Sequence, residues 1–255
     1  MANSSLFDLS GEIAFVTGAS AGLGRHFASV LAEAGAKVAL CARRRDLVAQ
    51  AVAALPAGRA LAVVGDVTDG ASMQRALRQA GDELGPVTLL INNAGIADDH
   101  AALDLPEDDW DRVIDINLKG AWRLSQLCAQ HWVERGAPGN IVNIASILAL
   151  RVAGRSLPYA VSKAGLVQMT KALSLEWARH GIRVNAIAPG YIETDLNRDF
   201  FATAPGQALI KRIPQRRLGQ PGDLDGALLL LASSASAYMT GSVVTVDGGH
   251  LNSSL

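Results

Sequence analysis

Short apolar, β-branched runs alternate with longer segments of helical periodicity along almost the whole chain. In the first helical segment, Phe27, Val30 and Leu31 fall on one stripe and Gly35 follows as a stop signal. Strands are predicted at 13–17, 37–42, 60–65, 88–92, 140–146, 183–188 and 243–246, and helices at 22–34, 46–55, 72–84, 108–133, 158 to about 179, and 223–232. Apolar strands separated by helices indicate a parallel sheet covered on both faces. The predicted fold is therefore α/β, a doubly wound parallel sheet of about seven strands with ligands bound at the strands' carboxyl ends.

The alternation is interrupted only once at length. The segment from about 190 to 222 combines glycine, proline and threonine with aromatic and aliphatic residues, which favours a substrate lid over a linker. Because no linker-like tract, repeat or low-complexity segment divides the chain, we expect a single domain over residues 1–255.

Charge and cysteine usage exclude several classes of protein. The 23 basic and 24 acidic side chains leave a net charge of -1, which argues against a nucleic-acid surface. Cys41 and Cys128 have neither metal-ligand spacing nor a disulfide pattern, so we expect reduced thiols and no catalytic metal. Residues 1–5 lack a signal-peptide pattern, and the apolar run at 227–232 is far below the roughly 20 residues that span a bilayer. A cytoplasmic protein without nucleic-acid or membrane partners is expected.

A glycine-rich turn follows the first predicted strand and opens the first helix. Gly18 permits the tight turn, Gly22 lets backbone amides approach a pyrophosphate, and Gly24 allows close packing of the helix on the sheet. The helix N-terminus adds partial positive charge for phosphates. Any tight turn uses glycines, but the strand before and the helix after favour a dinucleotide site.

The end of the second predicted strand bears on the choice of cofactor. It carries no acid that would bind a ribose 2′-hydroxyl, and Arg43, Arg44 and Arg45 follow it. Since a guanidinium matches a phosphate, NADP(H) is favoured and NAD(H) stays possible, with Arg43 as the main contact and Arg44 or Ser20 assisting. The alternative is a solvated helix start. Asp66, after the third strand, either accepts from the adenine amino group or serves a turn or helix cap.

A tyrosine and a lysine lie four residues apart on one predicted helix. A nearby Lys163 ammonium stabilises the phenolate of Tyr159, which makes the pair a plausible acid/base. Such pairs also occur by chance, but Ser146 ends the preceding strand, where its hydroxyl can bond a substrate carbonyl. Asn117 lies inside the long helix and indicates a kink, a bound water or only an exposed polar residue.

Together these motifs resemble the single-domain branch of the short-chain dehydrogenase/reductases, over nearly the whole chain and in order. The matching motifs are T-G-A-S-A-G-L-G at 17–24, G-D-V at 65–67, N-N-A-G at 92–95, Y-x-x-x-K at 159–163, P-G at 189–190 and V-D-G-G at 246–249. The resemblance implies a Rossmann-like fold and an NAD(P)-dependent oxidoreductase similar to 3-oxoacyl-acyl-carrier-protein reductases.

The resemblance also implies a role for each matching residue. Tyr159 is the general acid in reduction and the base in oxidation, and Lys163 lowers its pKa and binds the nicotinamide ribose. Ser146 polarises the substrate carbonyl, and Asn117 holds a water in a proton relay. With the contacts already predicted from the residues themselves, the full set of predicted cofactor contacts is Gly18, Ser20, Gly22, Leu23, Gly24, Arg43, Arg44, Asp66, Val67, Asn93, Ala94, Gly95, Tyr159, Lys163, Pro189, Gly190, Ile192 and Thr194.

The expected reaction interconverts a ketone and a secondary alcohol. A pocket walled by Leu148, Leu150, Tyr191, Phe200 and Phe201 favours an apolar or acyl-bearing substrate, for which a 3-oxoacyl thioester is one candidate. The alternatives are an NAD-dependent secondary alcohol dehydrogenase and a non-catalytic nicotinamide-sensing protein. Loss of the tyrosine, the lysine or the glycines would favour the second alternative, and all of them are present.

The chain departs from the family pattern at two places, the glycine-rich turn and the segment between Ser146 and Tyr159. Ala21 stands where many NADP-using members have Lys or Arg, which keeps NAD open. Arg151 and Arg155 either meet an acidic or phosphorylated substrate group or are exposed or in subunit contacts. The resemblance implies a homotetramer built on the helices at 108–133 and 158–179.

Overall fold

The computed structural model describes residues 6–195 and 197–253. The strands are β1 (Ile13–Thr17), β2 (Lys37–Ala42), β3 (Ala60–Val64), β4 (Leu89–Asn92), β5 (Gly139–Ile144), β6 (Ile182–Pro189) and β7 (Val243–Val246). The helices are α1 (Gly22–Glu33), α2 (Arg45–Ala53), α3 (Gly70–Leu84), α4 (Glu107–Ile114), α5 (Gly120–Glu134), α6 (Leu157–Trp177), α7 (Arg198–Ala202), α8 (Ala204–Ile210) and α9 (Asp225–Ala232).

One sheet contains all seven strands in the order β3-β2-β1-β4-β5-β6-β7, and every neighbouring pair is parallel. The chain reverses its direction of winding between β1 and β4, because β2 and β3 extend the sheet on one side and β5 to β7 on the other. A cleft opens at such a reversal beyond the carboxyl ends of the strands. The predicted α/β fold is confirmed, and this edge of the sheet is where a ligand site is expected.

The sheet is buried on both faces by alternating side chains of the same strands. On β1, Val16 belongs to the layer formed with Leu31 of α1 and Leu228 of α9. The neighbouring Phe15 points to the opposite layer, which contains Trp132 of α5. This alternation follows from the two-residue period of a strand, and it explains why the central strands read as continuous apolar runs.

Element boundaries agree with the sequence to within about two residues at each strand. The helix predicted from residue 72 begins earlier, at Gly70, because the Asp69 carboxylate caps it by accepting from the Ala71 amide at 2.9 Å. Two helices were missed inside the segment 190–222. Both α7 and α8 are short, with five and seven residues, and neither shows a resolvable helical period in the sequence.

Two expectations about cellular context concern membrane-spanning helices and the first five residues. Within the described ranges, no helix is both long enough and apolar enough to cross a bilayer. Residues 1–5, on which the expectation of no signal peptide rests, lie outside the described residues.

Cys41 and Cys128 are buried free thiols, and burial raises the pKa of each to about 12, so neither is a reactive thiolate near neutral pH.

Candidate active site

The turn between β1 and α1 has room for glycine and for no larger residue at two positions. A Cβ at Gly24 would lie 2.4 Å from the carbonyl oxygen of Gly18, and one at Gly18 would lie 2.9 Å from Ala94 Cα. Gly18 also has a positive φ of 64°. At Gly22, by contrast, no atom lies within 4 Å of the added Cβ, so the backbone at the start of α1 faces open space. This open turn at a helix N-terminus fits a pyrophosphate.

Thr17, at the end of β1, ties this turn to the segment that follows β4. Its hydroxyl accepts from the amides of Asn93 and Ala94, each at 3.0 Å. In return, the Asn93 side chain donates to the Thr17 carbonyl at 2.9 Å. This role of Thr17 was not predicted from the sequence. The sequence feature that could have indicated this role is a hydroxyl group at the carboxyl end of β1, the strand that lies beside β4.

The three arginines after β2 differ in their surroundings. Arg43 follows the last residue of β2 and is exposed, and Arg45 begins α2. Arg44 donates through Nη2 to the Ser20 hydroxyl at 3.3 Å, so it lies beside the glycine-rich turn. Among the described residues, none of the three forms an ion pair with a carboxylate.

Asp66, after β3, serves a turn. One carboxylate oxygen accepts from the Thr68 amide at 2.9 Å and from the Thr68 hydroxyl at 2.8 Å. Asp66 therefore stabilises a turn, which was one of its predicted roles. The residue that caps α3 is Asp69. The neighbouring Val67 is half-buried and offers its carbonyl to Arg123 at 2.8 Å.

Asn117 lies in a π-helical turn, Asp115–Lys119, that interrupts the predicted long helix between α4 and α5. Its side chain is buried and fully engaged. The Oδ1 atom accepts from the Ile96 amide at 2.8 Å, and Nδ2 donates to the Ile96 carbonyl at 2.9 Å and the Ser162 hydroxyl at 3.1 Å. A π-turn inserts one residue into a helix and often marks a functional site. Here it lets Asn117 join the segment after β4 to α6.

Tyr159 and Lys163 share one face in the first turns of α6, which begins with Pro158 in its first turn. Lys163 is 4 % exposed, and its Nζ donates to the Ile144 carbonyl at 2.7 Å. The same Nζ lies 5.7 Å from the centroid of the Tyr159 ring. A Cβ at Gly95 would lie 3.3 Å from Asn117 Oδ1 and 3.5 Å from Lys163 Nζ, so these residues meet at the carboxyl edge of the sheet.

The acid–base properties of this group follow from its burial. Burial raises the pKa of Tyr159, a hydrogen bond with Ser146 lowers it, and the charge of a nearby Tyr191 phenolate would raise it. Burial lowers the pKa of Lys163 to about 8. At neutral pH the Tyr159 phenol is therefore protonated and ready to donate, beside a lysine that still carries its charge.

The segment after β6 is held by contacts with the end of β7. The Gly190 amide donates to the Val246 carbonyl at 2.9 Å, and a Cβ at Gly190 would lie 2.7 Å from Asp247 Cα. Pro189 is the last residue of β6. Ile192 is buried and forms a bridge with Gly219, and the Thr194 amide donates to Asn197 at 2.9 Å.

The five predicted pocket residues differ in their contacts and in their exposure. Tyr191 and Phe201 stack edge to face at 5.8 Å, and Phe200 meets Phe201 at 5.2 Å. Phe201 is buried and Leu148 is half-buried. Leu150 and Phe200, by contrast, are 45 % and 49 % exposed.

The two arginines between Ser146 and Tyr159 have separate surroundings. Arg155 is exposed and pairs with Asp99 at 2.8 Å, as expected of a surface residue. Arg151 is half-buried, and its Nη1 donates to the carbonyl of His250. His250, which directly follows the V-D-G-G motif, was not predicted as a site residue.

A small polar cluster lies near this site. Asp98, His100 and Asp109 place ligand-type atoms within 4.8 Å of one another. Asp98 accepts from His100 Nδ1 at 3.0 Å, and Asp109 pairs with Arg112 at 2.6 Å. Both carboxylates therefore already have partners within the protein.

Known proteins resemble this chain over nearly its full length. A family model described as enoyl-(acyl carrier protein) reductase matches residues 18–250. The 2-dehydro-3-deoxy-D-gluconate 5-dehydrogenase of Escherichia coli (strain K12) is 39% identical over 249 residues, covering 97% of this chain and 98% of that protein. The 3-oxoacyl-acyl-carrier-protein reductase of Thermotoga maritima is 35% identical over 244 residues, covering 94% and 98%. A crystal structure of a gluconate 5-dehydrogenase from Burkholderia cenocepacia in complex with NADP and tartrate has a TM-score of 0.92 and 34% identity, covering 98% of this chain and 99% of that one.

The doubly wound sheet, the glycine-rich turn and these relatives define an NAD(P)-dependent oxidoreductase. The chain belongs to the short-chain dehydrogenase/reductase family, as its ordered motifs predicted.

Proposed function

We propose that this chain interconverts a ketone and a secondary alcohol, with NADP(H) as the preferred cofactor and Tyr159 as the general acid/base. The single observation that carries this proposal is the meeting of Tyr159, Lys163, Asn117 and Gly95 beyond the carboxyl ends of β4 and β5. The open glycine-rich turn lies at the same edge of the sheet, which supports a cofactor bound across it.

The nicotinamide supplies or accepts the hydride when the cofactor is bound. In reduction, Tyr159 donates its proton to the carbonyl oxygen as the carbon gains hydride, and in oxidation the phenolate takes the proton back. Ser146 orients the substrate oxygen, and the buried Lys163, whose Nζ lies 5.7 Å from the centroid of the Tyr159 ring, stabilises the phenolate. Asn117 positions α6 through its hydrogen bond to Ser162 and belongs to the path that returns protons to Tyr159.

The preference for NADP(H) rests on the arginines after β2. Arg43 and Arg44 are exposed beside the glycine-rich turn, and Arg44 contacts Ser20. These guanidinium groups suit a 2′-phosphate, whereas a carboxylate at this place would repel it. NAD(H) is the alternative cofactor, since Ala21 offers no charge.

Replacing Arg43 with alanine is expected to raise KM for NADPH by about tenfold and leave KM for NADH unchanged, because one charge-assisted hydrogen bond is lost. Steady-state kinetics with both cofactors measure the change. Arg45→Ala is the matched control, since Arg45 belongs to the same triplet but begins α2. An NADPH preference that is unchanged in Arg43→Ala would show that Arg43 does not bind the 2′-phosphate.

Two kinds of substrate have support. The relatives include enzymes named for gluconate derivatives and one named for 3-oxoacyl-acyl-carrier-protein reduction. The half-buried Arg151 and the exposure of Leu150 and Phe200 favour a small polar substrate with a carboxylate over a long acyl chain. The acyl thioester stays the second candidate because the Tyr191 and Phe201 rings offer an apolar contact.

Initial rates with a panel of substrates test the reaction. We expect oxidation of D-gluconate with NADP⁺ at a kcat/KM at least about tenfold above that for reduction of an acetoacetyl thioester with NADPH. Turnover of the thioester alone would favour the second candidate. Absence of turnover with hydroxy acids, simple secondary alcohols, ketones and thioesters, with either cofactor, would contradict the proposed reaction.

The domain organisation, the oligomeric state and the cellular location follow from the same family assignment. We propose that the chain forms a single domain in which the segment 190–222, with α7 and α8, closes over bound substrate. A homotetramer is proposed on the outer faces of α5 and α6, where Trp122, Val161 and Leu175 expose 41%, 40% and 83% of their surface. Apolar side chains exposed together on neighbouring helices support a subunit contact there. A cytoplasmic location remains part of the proposal.

A further inference from the structure

Tyr191, one of the predicted pocket residues, interacts electrostatically with the acid/base Tyr159 and with Arg151. A charged Tyr191 would raise the pKa of Tyr159, and Arg151 lowers the pKa of Tyr191. The geometry that links Tyr191 to Arg151 runs through His250, whose ring lies 5.5 Å from the Tyr191 ring and whose carbonyl accepts from Arg151.

Arg151 is the fifth residue after Ser146 and forms no ion pair within the part of the chain that the structure describes. Its Nη1 donates to the His250 carbonyl and lies 3.4 Å from the Ser253 hydroxyl. The exposed Arg155 and Arg217, by contrast, each pair with a carboxylate. A half-buried guanidinium is costly to desolvate unless an anion compensates it. Since these bonds use only Nη1, Nη2 and Nε remain as donors for a ligand.

His250 adds an independent observation at the same place. Its ring lies 5.5 Å from the Tyr191 ring, and the residue is only 6% exposed. Within residues 6–195 and 197–253, its Nδ1 has no hydrogen-bond partner. Buried polar atoms in proteins are almost always paired, so an unpartnered ring nitrogen beside Arg151 indicates a missing polar group.

We propose that Arg151, His250 and Tyr191 form a carboxylate-binding subsite at the end of the substrate pocket remote from Ser146. The substrate is then a hydroxy acid or keto acid whose carboxylate lies several bonds from the reacting carbon. This inference rests on the proposed function, because it assigns the substrate class of the same site. Arg151 and Arg212 act on His250 as positive charges and Asp247 as a negative one, so the surroundings of this imidazole carry a small net positive charge, which favours a carboxylate over a phosphate dianion.

Calorimetric binding to the NADPH-saturated protein tests the subsite without turnover, because an alcohol is not oxidised by the reduced cofactor. The probes are D-gluconate and D-glucitol, which differ in carrying a carboxylate or a hydroxymethyl group at C1. We expect the wild type to bind gluconate at least about tenfold more tightly than glucitol. Arg151→Leu should abolish this difference and leave glucitol affinity unchanged. Arg151→Lys, which keeps the charge but loses the planar fork, should retain part of it.

Arg78→Leu is the matched control, because Arg78 is exposed on α3. It should behave as the wild type, and the melting temperatures of all variants show whether each is folded. Equal affinities for the two probes in the wild type would overturn the subsite, as would an unchanged gluconate preference in folded Arg151→Leu and Arg151→Lys. Tighter binding of D-glucitol 6-phosphate, which has a phosphate and no carboxylate, than of gluconate, with loss of that binding in Arg151→Leu, would assign a phosphate to Arg151 and also overturn the proposal.

The subsite and the proposed reaction fail in different ways. Ketone reduction by a wild type that shows no gluconate preference would refute the subsite and leave the reaction standing. An Arg151-dependent gluconate preference in a protein without oxidoreductase activity would refute the reaction and leave the anion site standing.

Discussion

Replacing Tyr159 with phenylalanine is expected to lower kcat by about 10²–10⁴-fold, the usual contribution of a general acid or base. The dissociation constant for NADPH should change by less than about twofold, because the substitution removes one hydroxyl and keeps the ring beside Lys163. Stopped-flow rates of hydride transfer, together with a fluorescence titration of NADPH, separate the two effects. The loss should be similar in both directions of the reaction, since the same proton is given and taken.

The chain provides a matched control for this variant. Tyr238 is fully exposed, and Tyr238→Phe removes the same atom from the surface. Its kcat and its NADPH affinity should equal those of the wild type. Substantial residual turnover in Tyr159→Phe, with Tyr238→Phe unaffected, would mean that another group moves the proton.

Replacing Gly24 with alanine is expected to weaken cofactor binding by about tenfold or more and to lower the free energy of unfolding by about 1–3 kcal/mol. The added Cβ would lie 2.4 Å from the Gly18 carbonyl oxygen and 2.5 Å from Asn93 Nδ2. Since the first of these atoms is backbone, the turn has to move. That movement shifts the amides proposed to bind the pyrophosphate and also disturbs the bond between Asn93 and Thr17.

Gly81→Ala is the control for the same chemical change. Gly81 lies within α3, and no atom lies within 4 Å of its added Cβ. This variant should raise the free energy of unfolding by about 0.5–1 kcal/mol, because alanine loses less conformational entropy in a helix. Chemical denaturation and NADPH titration of both variants measure the effects. Unchanged NADPH affinity in Gly24→Ala would contradict the proposed pyrophosphate site.

Much of the fold was predictable because it depends on short-range patterns. The apolar runs marked every strand of the described sheet, and their lack of alternation indicated burial on both faces. The mid-helix Asn117 indicated a local irregularity, which the structure resolves as a π-turn. The helices α7 and α8 were not predictable, since each is too short to show periodicity and depends on contacts such as that of Gln207 with the Phe201 carbonyl.

The candidate site was predictable in part for the same reason. Tyr159 and Lys163 are four residues apart on one helix, so their spacing alone places them on one face. The carbonyl that holds Lys163 belongs to Ile144, which precedes it by 19 residues on β5. Asp66 illustrates the opposite case, because the sequence allowed both a ligand contact and a turn. Its bonds to Thr68 form the turn within the protein itself.

The sequence by itself determined the class of fold, the reaction family and the acid/base pair, because periodicity, glycine spacing and motif order are properties of neighbouring residues. Only the tertiary structure decided what surrounds that pair. Thr17 meets Asn93 across 76 positions, and Arg151 meets His250 across 99. Contacts over such separations depend on how the strands are ordered in the sheet and where the chain returns after β7. The chemistry of Tyr159 was therefore evident from local sequence, whereas the contacts among Arg151, His250 and Tyr191 became evident only in the folded chain.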